Sequence, residues 1–582
     1  MNKELKSLII AKHKAHKAKD RTLVKSIQKD LKIEINNCKS IYKKKVENKF
    51  ENLDSKGMWQ GLKSMAGMQK KSININVEKG KEQEYVESLN TFYARFDNHD
   101  FSSEIENARL LLDDEDNYFE IEPHEVNKYF SKLKSNKASG PDGLSPKILK
   151  LCSHQLSYIY CTIFNMSLNA CKIPTIWKTS KIIPVPKSNK INQMNDLRPV
   201  ALTPVVMKCL EKNVLSNVIP FVNSSLDPLQ FAYKPRRSVE DAVLYFTNNI
   251  YRHLDTPKSY VRTLFVDFSS AFNTIQPHIL MSKLIDYGVP SSTSLWILDF
   301  LTARPQYVFL KLKAGNFTSA VLFTNTGAPQ GTVLAPMLFS IYTNSCSKIF
   351  DNIPIIKYAD DTSIQALIKS QNDLSNYFSE VSRFCNWCED HFLLLNVKKT
   401  KELIVDFRKS DYVHESIIIH DEIVERVLEY KYLGVFFDEK LDWIKNSETL
   451  QAKIHQRLYF MRKLSAFNID KTILHLFFES CVMSLFYFSV TAWGGNIRAQ
   501  ERDNMERIIK HCLKLVNSQD TILIDDILQI ACKRKLNCIL KDNTHPLHVF
   551  LEFSSRSGRL LHIKTKTSRH LNSFLPYAVR HH

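Results

Sequence analysis

Between residues 260 and 268 two interleaved sets of side chains alternate: Val261, Thr263 and Phe265 on one, Arg262, Leu264 and Val266 on the other. A period of two predicts a β-strand, and Asp267 stands at its carboxyl end. A second apolar run, Ile353-Pro-Ile-Ile-Lys-Tyr358, ends in Ala359-Asp360-Asp361 and resumes as Thr362–Ile368, which predicts a hairpin with acids at its tip. Leu374, Tyr377, Phe378, Val381, Phe384, Cys385 and Cys388 then recur at steps of three and one, the spacing of an amphipathic helix. A strand over Glu402–Phe407 follows. Strand, helix, hairpin, helix, strand is the order of a split βαβ sheet, here expected to carry its helices on one face.

Outside this region the pattern is mainly helical. The first ~70 residues read as basic helix ending near Trp59, Leu62 and Met65. An acidic patch, Asp113 to Asp116, separates them from a helical pattern that starts at Pro123. Lys137-Ala-Ser-Gly-Pro-Asp-Gly143 must be a loop, because both Gly-Pro and Asp-Gly are turn formers. Prolines at 174, 184, 186, 199 and 204 divide residues 170–205 into short extended pieces. Residues 449–515 are predominantly helical, and Ile473–Trp493, interrupted by His475, Glu479, Ser480 and Ser484, reads as a buried helix rather than a membrane span.

A chain of 582 residues with 44% hydrophobic side chains can fill two to four cores. Its net charge is +19, carried at the ends: residues 1–71 hold +12 and residues 553–582 hold +6. Basic ends of this kind suit a polyanion such as a phosphate backbone, and a solvated tail explains the charge equally well. The 12 cysteines are scattered, as in a protein with reduced intracellular thiols. Cys385, Cys388 and His391 form a C-x2-C-x2-H run, but no second pair stands at zinc spacing and the two cysteines fall on the apolar side of the predicted helix. The basic start has no apolar signal core, so secretion is not expected.

Asp267 and the Asp360-Asp361 pair, each closing an apolar strand, are the candidate chemistry. Carboxylates among Val, Ile and Phe are costly unless a cation neutralises them, and adjacent acids repel. Both facts fit Mg²⁺, a hard ion with oxygen ligands that commonly shares its shell with phosphates. Acids on neighbouring strands can hold two such ions about 4 Å apart for phosphoryl transfer. For Asp-Asp alone a turn is the commoner explanation, since Asp favours turns; an acid at the end of the earlier strand weakens that reading. A nuclease with acidic metal ligands is a further possibility at this level.

The surrounding residues resemble the reverse transcriptases of non-LTR retrotransposons, in particular the jockey-like elements of animals. Tyr358-Ala-Asp-Asp361 resembles the family's Y-x-D-D box, Val266-Asp-Phe-Ser-Ser-Ala-Phe-Asn-Thr-Ile275 its first catalytic motif, and Gly327-Ala-Pro-Gln-Gly-Thr-Val-Leu-Ala-Pro336 its Pro-Gln-Gly segment. Leu197-Arg-Pro-Val-Ala-Leu202 with Lys208 and Glu211, Gln230–Ser238, Leu395–Thr400 and Tyr432-Leu-Gly-Val435 resemble four more motifs, all in family order. The resemblance implies an α+β right-hand polymerase. Its parts would be a basic helical N-terminal extension over 1–85, fingers over 86–260, a palm over 261–445, a helical thumb over 446–520 and a basic C-terminal region over 521–582.

Carried over by motif, Asp267, Asp360 and Asp361 would be catalytic carboxylates and metal ligands, with the Phe268 carbonyl as a further ligand. Phe272 would be the steric gate against a 2′-hydroxyl, and Gln330 and Gly331 would lie near the nascent base pair. Lys187 and Arg198 would clamp the triphosphate. Lys399 would donate a proton to pyrophosphate, or be simply an exposed lysine. Mg²⁺ is the implied cofactor, with Mn²⁺ as a substitute. Implied partners are an RNA template, a DNA primer or target and dNTPs, with no membrane, and the work would fall in the nucleus. Ser345 stands where the family usually has Asp, and Lys234 where Arg is frequent. About 120 residues ahead of the polymerase would not hold the endonuclease of autonomous elements, which suggests a truncated reading frame. The alternative is a degenerate or domesticated copy that binds RNA without synthesis.

Overall fold

The structure, a computed structural model, describes all residues except 1, 2, 53, 66, 67, 69–74, 76, 98, 113–118, 189, 190, 410, 411 and 557; the acidic patch at 113–116 lies outside the described residues. Helix accounts for 54% of the chain and strand for 13%, a mixed α+β composition. Two compact units are present: residues 72–433 with 544–547, and residues 1–71 with 434–543 and 548–582.

The first unit contains two sheets. One is built from β1 (Ser180–Pro186), β2 (Leu197–Leu202), β4 (Arg304–Lys311), β5 (Asn316–Thr318) and β6 (Leu322–Thr324). β1 pairs antiparallel with β2 and parallel with β4. The other has β3 (Tyr260–Val266) at its centre, between β8 (Asp361–Ile368) and β9 (Lys401–Asp406), with β7 (Ile355–Tyr358) beyond β8 and β10 (Glu425–Arg426) beyond β9. β3 runs antiparallel to both neighbours.

Every residue of β3 is buried. The expected one-sided cover is therefore corrected, because a strand buried at every position must be packed on both faces. Helix Val239–Leu254 meets the odd-numbered face, where Phe246 lies 5.8 Å from Phe265 and Asn249 donates to Gln365 at 3.1 Å. Helix Gln371–Asp390 meets the even-numbered face, where Tyr377 donates to Glu402 at 3.4 Å. Its start is set by a reciprocal cap between Ser370 and Asp373. Its buried side carries Tyr377, Val381, Phe384, Cys385 and Cys388; fully burying a Val or Phe is worth about 1.5–3 kcal/mol. On the same face Arg262 donates to Glu402 at 2.7 Å, a fully buried pair. Burial raises the Cys385 thiol to about 11 and the Cys388 thiol further. Both are inert core residues, as their helical spacing suggested.

The second unit is helical. Residues 1–71, read from sequence as part of a separate extension, fold here with the segments after 434. Helices Lys3–Lys17, Arg21–Glu51 and Ser55–Met65 bring Trp59 against Phe460 and Phe477, at 5.7 and 5.9 Å, with Arg457 over its ring at 4.4 Å. The apolar stretch Ile473–Trp493, expected as one helix, is broken. A π-helical segment spans Phe478–Met483, and Ser489 adopts a left-handed φ of 51° between Ser484–Tyr487 and Val490–Trp493. Among the described residues no single helix is long and apolar enough to cross a membrane; a pair bent by 42°, Lys471–Tyr487 with Val490–Asn496, passes by length and composition only.

Candidate active site

The paired strands bring the three aspartates together. Tyr358 pairs with Asp361, so Ala359 and Asp360 form a two-residue turn, and Ala359 takes φ 58°. One step beyond the last β3–β8 pair, Val266 with Thr362, the register sets Asp267 opposite Asp361. The turn is clamped from outside the hairpin. Gln230 accepts the Ala359 N–H at 3.0 Å, and Phe231 N–H donates to the Lys357 carbonyl at 2.9 Å. Lys357 is itself buried and paired with Asp227 at 2.7 Å. Gln230 belonged to a recognised motif, yet sequence reasoning gave it no role; its signal was a lone amide in an otherwise apolar and basic run.

Beyond β3 the backbone is stitched to residues 394–400. Asn396 N–H donates to the Asp267 carbonyl at 2.8 Å, Ser269 N–H to the Leu394 carbonyl at 2.8 Å, and Asp267 N–H to Thr400 Oγ1 at 3.3 Å. This pairing carries Lys399 to the site, with Nζ 3.7 Å from Asp267 Oδ2. A cavity of about 550 Å³ is lined by Asp267, Phe268, Asp360, Phe272, Gln330, Gly331, Lys187, Arg198 and Lys399. Nine of the ten residues singled out from sequence thus share one cavity, and Asp361 faces Asp267 across the strands.

The wall opposite the aspartates is also built by tertiary contacts. Phe272 stacks on Phe339 at 4.7 Å and its carbonyl accepts the Ala328 N–H at 2.8 Å. Gly327 takes φ 79°, and a Cβ there would lie 2.7 Å from the Asn273 backbone, so only glycine lets the Pro-Gln-Gly segment pass this closely. Gly331, at φ 111°, lies against the Ala201 carbonyl of β2, while the Gln330 carbonyl accepts the Ala201 N–H at 3.0 Å. Fully buried Glu211 then accepts the N–H groups of Val333 and Leu334, at 2.5 and 3.0 Å, just ahead of helix Ala335–Tyr342. Burial pushes its carboxyl up to about 7, although those two hydrogen bonds and Lys208 work against the shift.

Both departures from the family pattern have local partners. Ser345 Oγ accepts from Lys283 Nζ at 2.6 Å and from Trp387 Nε1 at 3.2 Å. Burial lowers Lys283 to about 8, and burial together with Lys283 lowers His391 to about 4. Lys234 Nζ donates to the carbonyls of Leu226 and Asp227, at 3.1 and 2.6 Å.

The electrostatics favour a cation. Burial, then Asp267, raises the Asp360 carboxyl, and burial with repulsion from Asp360 and Asp267 raises Asp361 to about 6. Asp267 Oδ2 is shielded from solvent and has no hydrogen-bond donor among the described residues. The Phe268 carbonyl accepts no hydrogen bond among the described residues. Such a set suits a hard divalent ion. Among the described residues no group of three or more His, Cys, Asp or Glu side chains is arranged to hold a metal ion by itself.

Residues 185–437, which contain all of these side chains, match the family described as reverse transcriptase (RNA-dependent DNA polymerase). The chain carries a reverse transcriptase domain. Enzymes of this family generally use divalent metal ions. The chain is 24% identical over 356 residues to the RNA-directed DNA polymerase from mobile element jockey of Drosophila melanogaster, covering 59% of this chain and 38% of that protein. Its identity to the protein of the same name from Drosophila funebris is 25% over 404 residues, covering 66% and 42%. It is 21% identical over 389 residues to a retrovirus-related Pol polyprotein from type-1 retrotransposable element R1 of Bradysia coprophila, covering 65% and 38%. The chain thus spans about two-fifths of the length of these curated relatives. A shorter match, residues 443–484, is to the family described as alkylated DNA repair protein alkB homolog 8, N-terminal; it covers helix Ile444–Ala466 and the segment after it and includes none of the three aspartates.

Proposed function

We propose that the chain is an RNA-directed DNA polymerase of a non-LTR retrotransposon, extending a DNA 3′-hydroxyl on an RNA template with dNTPs. The observation that carries this reading is the cavity in which Asp267 and Asp360, with Asp361 across the strand pair, face Lys187, Arg198 and Lys399 beside Phe272. In this reading residues 86–260 supply the fingers, 261–445 the palm and the helices of 446–520 the thumb.

Asp267, Asp360, Asp361 and the Phe268 carbonyl would hold Mg²⁺, with Mn²⁺ as a substitute. Metal ions held there would supply positive charge that lowers the pKa of the primer hydroxyl and offsets the charge of the triphosphate. Lys187 and Arg198 orient the phosphates, and such positioning supplies most of the catalysis in phosphoryl transfer. Lys399, close to Asp267, can deliver a proton to the departing pyrophosphate. Phe272, fixed against Phe339, closes the floor beneath the sugar and excludes a 2′-hydroxyl. The basic helices of residues 1–71 and the C-terminal segment would grip RNA through phosphates, with affinity that falls steeply with salt. Action on a nicked chromosomal strand would place the work in the nucleus.

Primer extension on an RNA template with Mg²⁺ tests the reading. The wild type is expected to extend and Asp360→Asn to lose about a hundred- to a thousandfold of the rate, the scale on which removing an electrostatic contact to the reacting centre acts. Extension that survives Asp360→Asn would remove the catalytic assignment. No extension by the wild type, with salt-sensitive RNA binding intact, would favour an RNA-binding protein without synthesis.

A further inference from the structure

The cavity holds one cation that no motif flags. Arg95 follows helix Glu82–Ala94, ahead of the residues that match the reverse transcriptase family, and lines the same cavity as Asp267, Asp360 and Lys399. It also lines an adjoining cavity of about 490 Å³ with His99, Phe392 and His420, so it forms part of the wall between the two.

The side chain is held in place. Its guanidinium carbon lies 3.8 Å from the Phe92 ring centroid and 4.2 Å from that of Phe96, and Nη1 donates to the Phe92 carbonyl at 2.6 Å. The backbone around it is anchored as well. Asp97 accepts from Asn325 N–H at 3.1 Å and from Thr326 Oγ1 at 2.7 Å, two residues before Gly327 begins the Pro-Gln-Gly segment. Earlier along helix Glu82–Ala94, Glu87 accepts the Ala320 N–H at 3.0 Å and Asn90 donates to the Ala320 carbonyl at 2.9 Å. This segment is therefore fastened to the strands that carry the substrate-facing loop.

A stacked, exposed arginine with a purely structural role would be expected to spend its charge on a carboxylate. Among the described residues Arg95 makes no ion pair, and its Nε and Nη2 groups have no protein acceptor. The planar fork is thus pre-organised between two rings while its remaining donors stay available, the arrangement that binds phosphate oxygens at low entropic cost. Lys187 and Arg198 approach the cavity from β1 and β2, Lys399 from the segment ahead of β9, and Arg95 from a fourth element.

We propose that Arg95 is a fourth cation of the nucleotide pocket, contacting the triphosphate of the incoming dNTP from the N-terminal segment. The proposal rests on the polymerase reading above. Charge-assisted contacts of this type change affinity about ten- to a hundredfold. Steady-state extension by the full chain should show, for Arg95→Gln, a KM for dNTP raised at least about tenfold and a matching rise in the inhibition constant of inorganic pyrophosphate. Affinity for template–primer should be unchanged, and Arg95→Lys should recover part of the loss. Unchanged dNTP KM and pyrophosphate inhibition overturn the proposal. So does a weakened template–primer affinity with normal dNTP KM, which would make Arg95 a template-backbone contact. Equilibrium binding of a labelled dNTP to the enzyme with a dideoxy-terminated primer separates this proposal from the polymerase reading. There, an affinity unaltered by Arg95→Gln rejects the proposal even if the wild type performs no synthesis.

Discussion

Replacing Glu211 by Gln tests how the Pro-Gln-Gly segment is held. The carboxylate is fully buried, accepts two backbone N–H groups through Oε2, and leaves Oε1 without a partner. Its folded-state value is about 7, against 4.5 for the ordinary carboxyl. The folded protein therefore keeps a proton between those values that the unfolded chain has released. Stability must fall as pH rises from about 4.5 to about 7 and then level off, since the sign follows the state that binds more protons. At about 1.4 kcal/mol per unit, the full penalty above pH 7 is about 3 kcal/mol. Gln retains an acceptor for Val333 and Leu334 but cannot ionise. Urea unfolding of the full chain should give wild type and Glu211→Gln nearly equal stability at pH 4.5, with the variant more stable by about 3 kcal/mol at pH 8. Glu211→Ala should instead be destabilised at every pH by about 3 kcal/mol or more, because two buried N–H groups lose their acceptor and a cavity opens. Parallel pH profiles for wild type and Glu211→Gln would refute the argument, as would an alanine variant as stable as wild type.

Two other substitutions address the same cavity and its support. Phe272→Val should raise ribonucleotide incorporation relative to deoxynucleotide by about tenfold or more, read from single-nucleotide extension, since one methylene-scale change in a pocket is worth 10–200-fold; unchanged sugar selectivity would remove the gate role. Ser345→Asp should give buried Lys283, 2.6 Å from the serine oxygen, a charged partner. The expected gain is about 1–3 kcal/mol at pH 7, seen as a higher thermal midpoint, and a lower midpoint would show that the serine is the better fit.

Much of the central sheet was legible in sequence because period-two and period-three-to-four patterns report directly on which side chains leave water. The Asp360-Asp361 tip was legible as a hairpin, and helix Gln371–Asp390 from its apolar steps, whereas its Ser370 cap was seen only in the structure. The cover of both sheet faces was missed, although the uninterrupted burial of β3 is what a row of Val, Leu, Phe and Val around Arg262 requires once Glu402 neutralises that arginine. The break at Ser489 was missed because hydropathy averages over a stretch and does not register one residue at positive φ.

The sequence by itself determined the local elements, the acids that close the strands and the order of motifs along the chain, since each of these depends on near neighbours. Only the tertiary structure decided which distant residues meet. Gln230 on the Ala359 turn, Asn396 and Thr400 on Asp267, and Glu211 under the Pro-Gln-Gly segment are contacts across 120 residues or more. The same holds for Arg95, whose segment contains no recognised motif and is brought to the cavity by tertiary contacts such as that of Asp97 with Thr326. Such pairings depend on how sheets and helices pack, and packing is a property of the whole folded chain rather than of any window within it.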